Sequence, residues 1–200
     1  MGSQYSESCH RCPRLNRQFK NLRKSHPAYW NKPVPAAGDQ DSKLLIVGLA
    51  PGMHGANKSG LPFIGDASGA LLFKTMAILK IEDRVRITNV VKCLPVQNSP
   101  NSSELKNCSS YLSAEIAAHA VKGNYVIFAL GGVAHRSVLK VFGYRQADFP
   151  FQHGAVHQFE DGGTMVDSYH CSRYNTQTGR LTEAMFLSAL SSATKLSGLD

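Results

Sequence analysis

The chain has 200 residues, 42% of them hydrophobic, and a formal net charge of +8 from 22 Lys and Arg against 14 Asp and Glu. That length and apolar content suit one compact domain over residues 1–200, and the basic surplus favours anionic partners because each neutralised phosphate releases a counterion. The longest apolar run, Leu44 to Ala50, is far too short for a membrane span of roughly 20 residues. The polar stretch from Met1 to Cys9 has no export-signal core, so a cytoplasmic monomer without membrane contact is the expectation.

In chain order, Cys9 and Cys12 form a C-x-x-C pair, and Arg11, Arg14, Arg17, Lys20, Arg23 and Lys24 follow with no carboxylate among them. On a helix these cations form one slowly drifting stripe, either a solvated face or a surface for an anionic partner. Residues 31–42 are rich in Pro and small side chains and read as a connector that sets a basic amino-terminal arm, 1–42, apart from the body. Lys43 to Val47 reads as a buried strand stopped by Gly48. Leu71, Leu72, Met76 and Leu79 keep helical spacing after a cap expected at Ser68. Strand Val85–Val91, helix Leu105–Val121, strand Tyr125–Leu130, helix Ala134–Phe142, strand Met165–Tyr169 and a helix after Thr182 complete the pattern. Alternating strands and helices predict a three-layer α/β/α sandwich around a mainly parallel sheet.

Ligands of such sheets bind beyond the carboxyl ends of the strands. The loops after Val47, Val91 and Tyr169 carry the unusual residues. The first is glycine-rich from Gly48 to Asp66 and lacks the Gly-Lys-Ser/Thr ending of a P-loop, which argues against a nucleoside triphosphate. The last, His170 to Thr182, offers a histidine at a strand end and then polar and cationic groups suited to a phosphate backbone. Cys93 and Cys108 join Cys9 and Cys12 as a possible four-thiolate site. Its spacing does not separate zinc from a [4Fe–4S] cluster. Cys171 stands apart.

Four segments together resemble the uracil-DNA glycosylase superfamily, in particular its type 5 branch. They are Cys-x-x-Cys-Pro-Arg-Leu from Cys9; Gly-Leu-Ala-Pro, Gly-x-Asn and Phe-x-Gly-Asp between Gly48 and Asp66; Asn-Val-Val-Lys-Cys-Leu-Pro from Asn89; and the motif beginning at His170. The likeness runs from Cys9 to about Thr182. It implies that Cys9, Cys12, Cys93 and Cys108 hold a [4Fe–4S] cluster, and that the substrate is DNA containing uracil or another deaminated base such as hypoxanthine.

The resemblance also assigns roles. Phe63 stacks on the flipped base, Asn89 pairs with the uracil edge, and Gly48, Leu49 and His54 border the substrate. His170 faces O2 of the departing base, where a preorganised donor stabilises the charge that develops as the glycosidic bond breaks. Leu49 stands where other branches carry a carboxylate or amide. Asp66 and Asn98 therefore become the candidates to position water or stabilise the sugar cation, although Asp66 also suits a helix cap and Asn98 a turn. Ser172, Arg173, Tyr174 and Asn175 are the expected DNA contacts, with Arg173 or Tyr174 filling the gap left by the flipped base. Cys171 replaces the family's proline, which removes a rigid φ from the loop. A monofunctional glycosylase is the leading expectation. The alternatives are a binder that captures uracil-DNA without turnover, including a covalent trap at His170, and a metal- or cluster-bearing interaction module.

Overall fold

The structure, a computed structural model, describes residues 5–121 and 123–199. Its elements begin with α1 (Pro13–Ser25), β1 (Ala37–Gly38), β2 (Leu44–Gly48), α2 (Ala56–Ser59), α3 (Ala67–Leu79) and β3 (Arg86–Asn89). A 3-10 turn over Val96–Asn98 leads to α4 (Ser102–Ala120), β4 (Val126–Leu130) and α5 (Gly132–Phe142). The chain ends with β5 (Val156–Gln158), β6 (Thr164–Ser168), α6 (Arg173–Gln177) and α7 (Glu183–Leu196).

The strands form one sheet in the order β1-β3-β2-β4-β6-β5. The inner four are parallel, and short antiparallel strands close both edges. Every residue of β2, β4 and β6 is buried, and β2 and β4 are the continuous apolar runs expected in a sheet covered on both faces. Alternation sorts the side chains. Leu45, Val47, Ile127, Ala129 and Met165 pack with Leu15 and Phe19 of α1, Leu112 and Ile116 of α4, and Val138 and Leu139 of α5. Leu44, Ile46, Val126, Phe128 and Val166 pack with Leu72 and Met76 of α3 and with Phe186 and Leu190 of α7. The expected three-layer α/β/α sandwich is what forms.

Several boundaries differ from the sequence reading. The cap of α3 is Asp66, whose side chain accepts from the Gly69 N–H at 2.8 Å, and Ser68 lies inside the helix. The ladder of β3 ends at Asn89, two residues short of Val91, because the chain turns there towards the β2 loop. Edge strands β1 and β5 have only two and three residues, too few for alternation to show. Within the basic stripe, Arg14 makes paired bonds of 2.7 and 2.8 Å to Glu104 of α4, and Arg23 donates to the Asn31 carbonyl at 2.9 Å. Part of the stripe thus holds the protein's own frame together. No described helix is long and apolar enough to cross a membrane.

Candidate active site

A cleft of about 730 Å³ opens at the carboxyl ends of the inner strands, lined by residues of the β2–α3 segment, Asn89, Asn98, His170, Ser172 and Arg173. A smaller chamber of about 230 Å³ shares Leu49 and His170 with it and adds Gly131, Gly132, Phe151, Asn175 and Arg180. The two spaces meet at His170. This is where an α/β sheet places its ligand, since strand ends converge there while loops remain free to vary.

Gly48, Phe63 and Asn89 build one wall together. A Cβ at Gly48 would lie 2.5 Å from Phe63 Cζ and would strike Asn89 Oδ1, so only glycine lets ring and amide share this space. Phe63 is 6% exposed and has φ +62°, a left-handed conformation that costs a residue with a side chain about 1–3 kcal/mol. Gly69 of α3 allows it, because a Cβ there would overlap the Phe63 carbonyl. Asn89 is buried and its Oδ1 has no hydrogen-bond partner. Its backbone is fixed from behind by Lys92, whose ammonium is fully buried and donates to the Asn89 carbonyl at 2.8 Å and to Glu115 at 2.7 Å. Sequence reasoning passed over Lys92, although it lies inside the quoted Asn-Val-Val-Lys-Cys segment three residues after Asn89.

His170 follows β6 on the opposite wall, its ring 6.3 Å from that of Phe63 and tilted 27° to it. Nδ1 is buried without a partner. Burial holds the imidazole pKa below its ordinary value, opposed only by the charge of Asp66, so the ring is neutral at physiological pH. Asn175 sits in α6 and donates from Nδ2 to the His170 carbonyl at 2.8 Å. Its side chain thus fixes the histidine backbone. Ser172 caps α6 by accepting from the Asn175 N–H, and the Leu181 N–H donates to the Asn175 carbonyl at 3.0 Å. These bonds anchor the loop without the family's proline. Cys171 is 1% exposed, with a thiol pKa pushed up to about 12 by burial, and fills apolar core.

The remaining candidates divide by depth. Asp66 uses Oδ1 as the α3 cap while Oδ2 faces the backbone of Gly52 and Gly55, where any Cβ would come within 2.9 and 2.5 Å of it. Cap and cleft-lining carboxylate are the same group. Asn98 is exposed at the cleft rim with φ +56°, a conformation Asn tolerates better than most residues. His54 is exposed, and its Nδ1 lies 3.1 Å from the Tyr29 hydroxyl. Leu49 borders both spaces and accepts from the Val91 N–H at 2.9 Å. Arg173 lines the cleft, whereas Tyr174 is 71% exposed and does not.

The four cysteines meet at the apolar cluster on the α1 and α4 side of the sheet, with Cys12 capping α1 and Cys108 inside α4. Cys12, Cys93 and Cys108 are buried and Cys9 partly so. Burial raises the Cys93 pKa most, and the neighbouring Cys108, Cys9 and Cys12 add to the shift. Asn107 Nδ2 lies 3.5 Å from Cys12 Sγ. The thiols share one region but are not tightly bunched. Among the described residues, the only group of three or more potential ligands with all ligand atoms within 4.8 Å of one another is His135, His157 and Asp167. Four thiolates on a single zinc ion, with bonds of about 2.3 Å, would sit roughly 3.8 Å apart.

The model of the uracil DNA glycosylase superfamily matches residues 35–194. The chain is 38% identical to a type-5 uracil-DNA glycosylase of Thermus thermophilus, with 96% of this chain and 95% of that protein aligned. It is 40% identical to a type-5 uracil-DNA glycosylase of Pyrobaculum aerophilum, across 88% of this chain and 83% of the relative. A type-4 uracil-DNA glycosylase of the same organism is 32% identical over 82% of this chain and 78% of its own. With this match running through every segment that builds the cleft, the chain belongs to the uracil-DNA glycosylase superfamily.

Proposed function

We propose that the protein excises uracil from DNA by hydrolysing the N-glycosidic bond, leaving an abasic site, and that the cleft between Phe63, Asn89 and His170 is where it does so. The observation that carries this reading is the pair of buried, unpartnered polar atoms on the two walls, Asn89 Oδ1 and His170 Nδ1. Leaving such atoms without partners costs about 1–3 kcal/mol each, which is regained when a ligand completes them.

Uracil supplies the complement. Its N3–H can donate to Asn89 Oδ1 while its O4 accepts from the amide nitrogen, and cytosine offers the reverse pattern. Hypoxanthine presents the same acceptor and donor through O6 and N1–H, so deaminated purines that fit the cleft form a second substrate class. A base reaches this depth only when flipped from the stack, at a cost of a few kcal/mol that stacking on Phe63 offsets. As the bond breaks, negative charge gathers on the base, and a neutral His170 donating an N–H towards O2 stabilises it in the transition state more than in the ground state. The fixed carboxylate of Asp66 stabilises the positive sugar, and Asn98 at the rim orients the incoming water.

The four cysteines would hold a [4Fe–4S] cluster better than one zinc ion, because each thiolate would bind a different iron and need not come within single-metal distances of the others. When bound, the cluster ties the Cys9–Cys12 segment to the β3–α4 loop and to α4. Cys9→Ala is expected to lose iron and thermal stability together. Full iron content in that variant would overturn the assignment.

Incubation with a duplex carrying one uracil tests the function. Free uracil released over several turnovers, and lost in His170→Ala, is the expected result. DNA retained without free base would make the protein a uracil binder instead.

A further inference from the structure

A second polar cluster lies outside the cleft, beneath α5. Asp167 of β6 is fully buried, and two imidazoles converge on its carboxylate. His135 Nδ1 of α5 lies 2.9 Å from Oδ1, and His157 Nε2 of β5 lies 3.0 Å from Oδ2. The other His135 nitrogen, Nε2, is 2.9 Å from the carbonyl oxygen of Phe149. A carbonyl oxygen only accepts, so Nε2 carries the hydrogen. In a neutral ring Nδ1 is then a bare lone pair, aimed at a carboxylate oxygen that also holds only lone pairs. Two acceptors stay this close in a buried place when a cation stands between them.

That cation is either a second ring proton or a metal ion, and the surroundings favour a metal. The ligand atoms come from three separate elements and all lie within 4.8 Å of one another, as in no other group among the described residues. Two imidazoles and a carboxylate form a zinc ligand set, with bonds of about 2.0–2.2 Å. The Phe149 carbonyl supplies the outer bond that orients a ligating imidazole and fixes its tautomer. Tetrahedral zinc would hold its ligand atoms about 3.4 Å apart, so each imidazole, now 2.9 or 3.0 Å from its carboxylate oxygen, need withdraw from that oxygen by only a few tenths of an ångström. Edge strand β5, bonded on one side only, can give that much.

We infer that His135, His157 and Asp167 form a structural binding site for a divalent transition-metal ion of the zinc class, separate from the cysteine centre. The ion ties β5, β6 and α5 together. It also fixes the segment after α5, since Phe149 and Phe151 pack on His157 and His135 with ring centroids at 5.7 and 5.5 Å. Phe151 in turn lines the chamber beside His170.

The test uses the iron-loaded protein equilibrated with Zn²⁺ in metal-free buffer, with zinc and iron counted together. About one zinc per chain at unchanged iron and a rise in Tm are expected, because an ion that binds only the folded state stabilises it. Co²⁺ in its place should show visible bands of nitrogen and oxygen ligation without thiolate charge transfer. His157→Gln, at the partly exposed edge, should keep the fold and iron yet lose the zinc and the Tm gain. Asp167→Asn should lose the zinc as well. No zinc on the wild-type protein, equal zinc on His157→Gln, or a cobalt spectrum dominated by thiolate would each overturn the inference.

Discussion

Asp167 and His170 are three residues apart at the end of one strand, yet their surroundings follow opposite rules. Around Asp167 each carboxylate oxygen faces an imidazole nitrogen, at 2.9 and 3.0 Å, and the inferred cation completes the contact between them. Around the cleft, His170 Nδ1 and Asn89 Oδ1 are buried with no partner. A folded chain satisfies most of its buried polar groups. Where it leaves them open at the mouth of a cavity, the missing partner arrives with the substrate. The contrast therefore separates polar groups that hold the molecule together from those kept ready for chemistry.

Substitution should expose this difference. Asp167→Ala leaves two histidines facing an empty buried site, and removing one partner of a buried charged network costs about 3–5 kcal/mol. Thermal unfolding should fall steeply, while the molecules that remain folded still release uracil at the normal rate. Destroyed activity with unchanged Tm would invert the comparison. His170→Ala should do the reverse: a loss of about 10²–10³ in rate with stability kept, because its Nδ1 has no bond to lose. Burial depresses the His170 pKa, so the neutral donor persists as the pH falls through the ordinary histidine value of about 6.5. The rate should be level from pH 8 to below that value, then decline as the ring takes up a proton. The same shift means that folding loses stability at acid pH, where the unfolded histidine binds a proton that the buried ring resists. A rate midpoint at 6.5 or above that vanishes in His170→Asn would count against a buried neutral donor.

Lys92 stands between the two kinds of region. Its ammonium has partners in Glu115 and the Asn89 carbonyl, but the residue it steadies is one whose side chain waits for substrate. Lys92→Met should destabilise by about 2–3 kcal/mol through lost charged hydrogen bonds. It should also raise KM for uracil-DNA more than it lowers kcat. A change in Tm alone would make Lys92 purely structural.

Much of the fold was legible because it rests on local signals. The apolar runs of β2 and β4 and the Thr182 cap of α7 mark themselves. The cleft was legible through motifs, since Gly48, Phe63, Asn89 and His170 each belong to a recognisable segment and the sheet gathers them at one end. The cluster at Asp167 was not. Its members lie 32 and 10 residues apart along the chain, on a helix, an interior strand and an edge strand of three residues, and only the placement of α5 together with the pairing of β5 on β6 brings them together. Lys92 was hidden for another reason. Lysine after an apolar strand reads as exposed, and its burial depends on Glu115 arriving from α4. The bond from Asn175 to the His170 carbonyl was hidden because a sequence does not say which way a short helix turns its amide.

The smallest expected effect tests where the site ends. Arg173 is exposed on the cleft wall at the start of α6, and no ion pair to it is found among the described residues. If it meets a phosphate, Arg173→Ala should weaken binding of uracil-containing and normal duplex alike. The slope of log K against log salt should then shrink by about one. Uracil selectivity should not move, because Arg173 belongs to neither wall that reads the base. Selectivity lost with the salt slope unchanged would place Arg173 inside the reading pocket, and the boundary between backbone binding and base reading would then have to be drawn further out along α6.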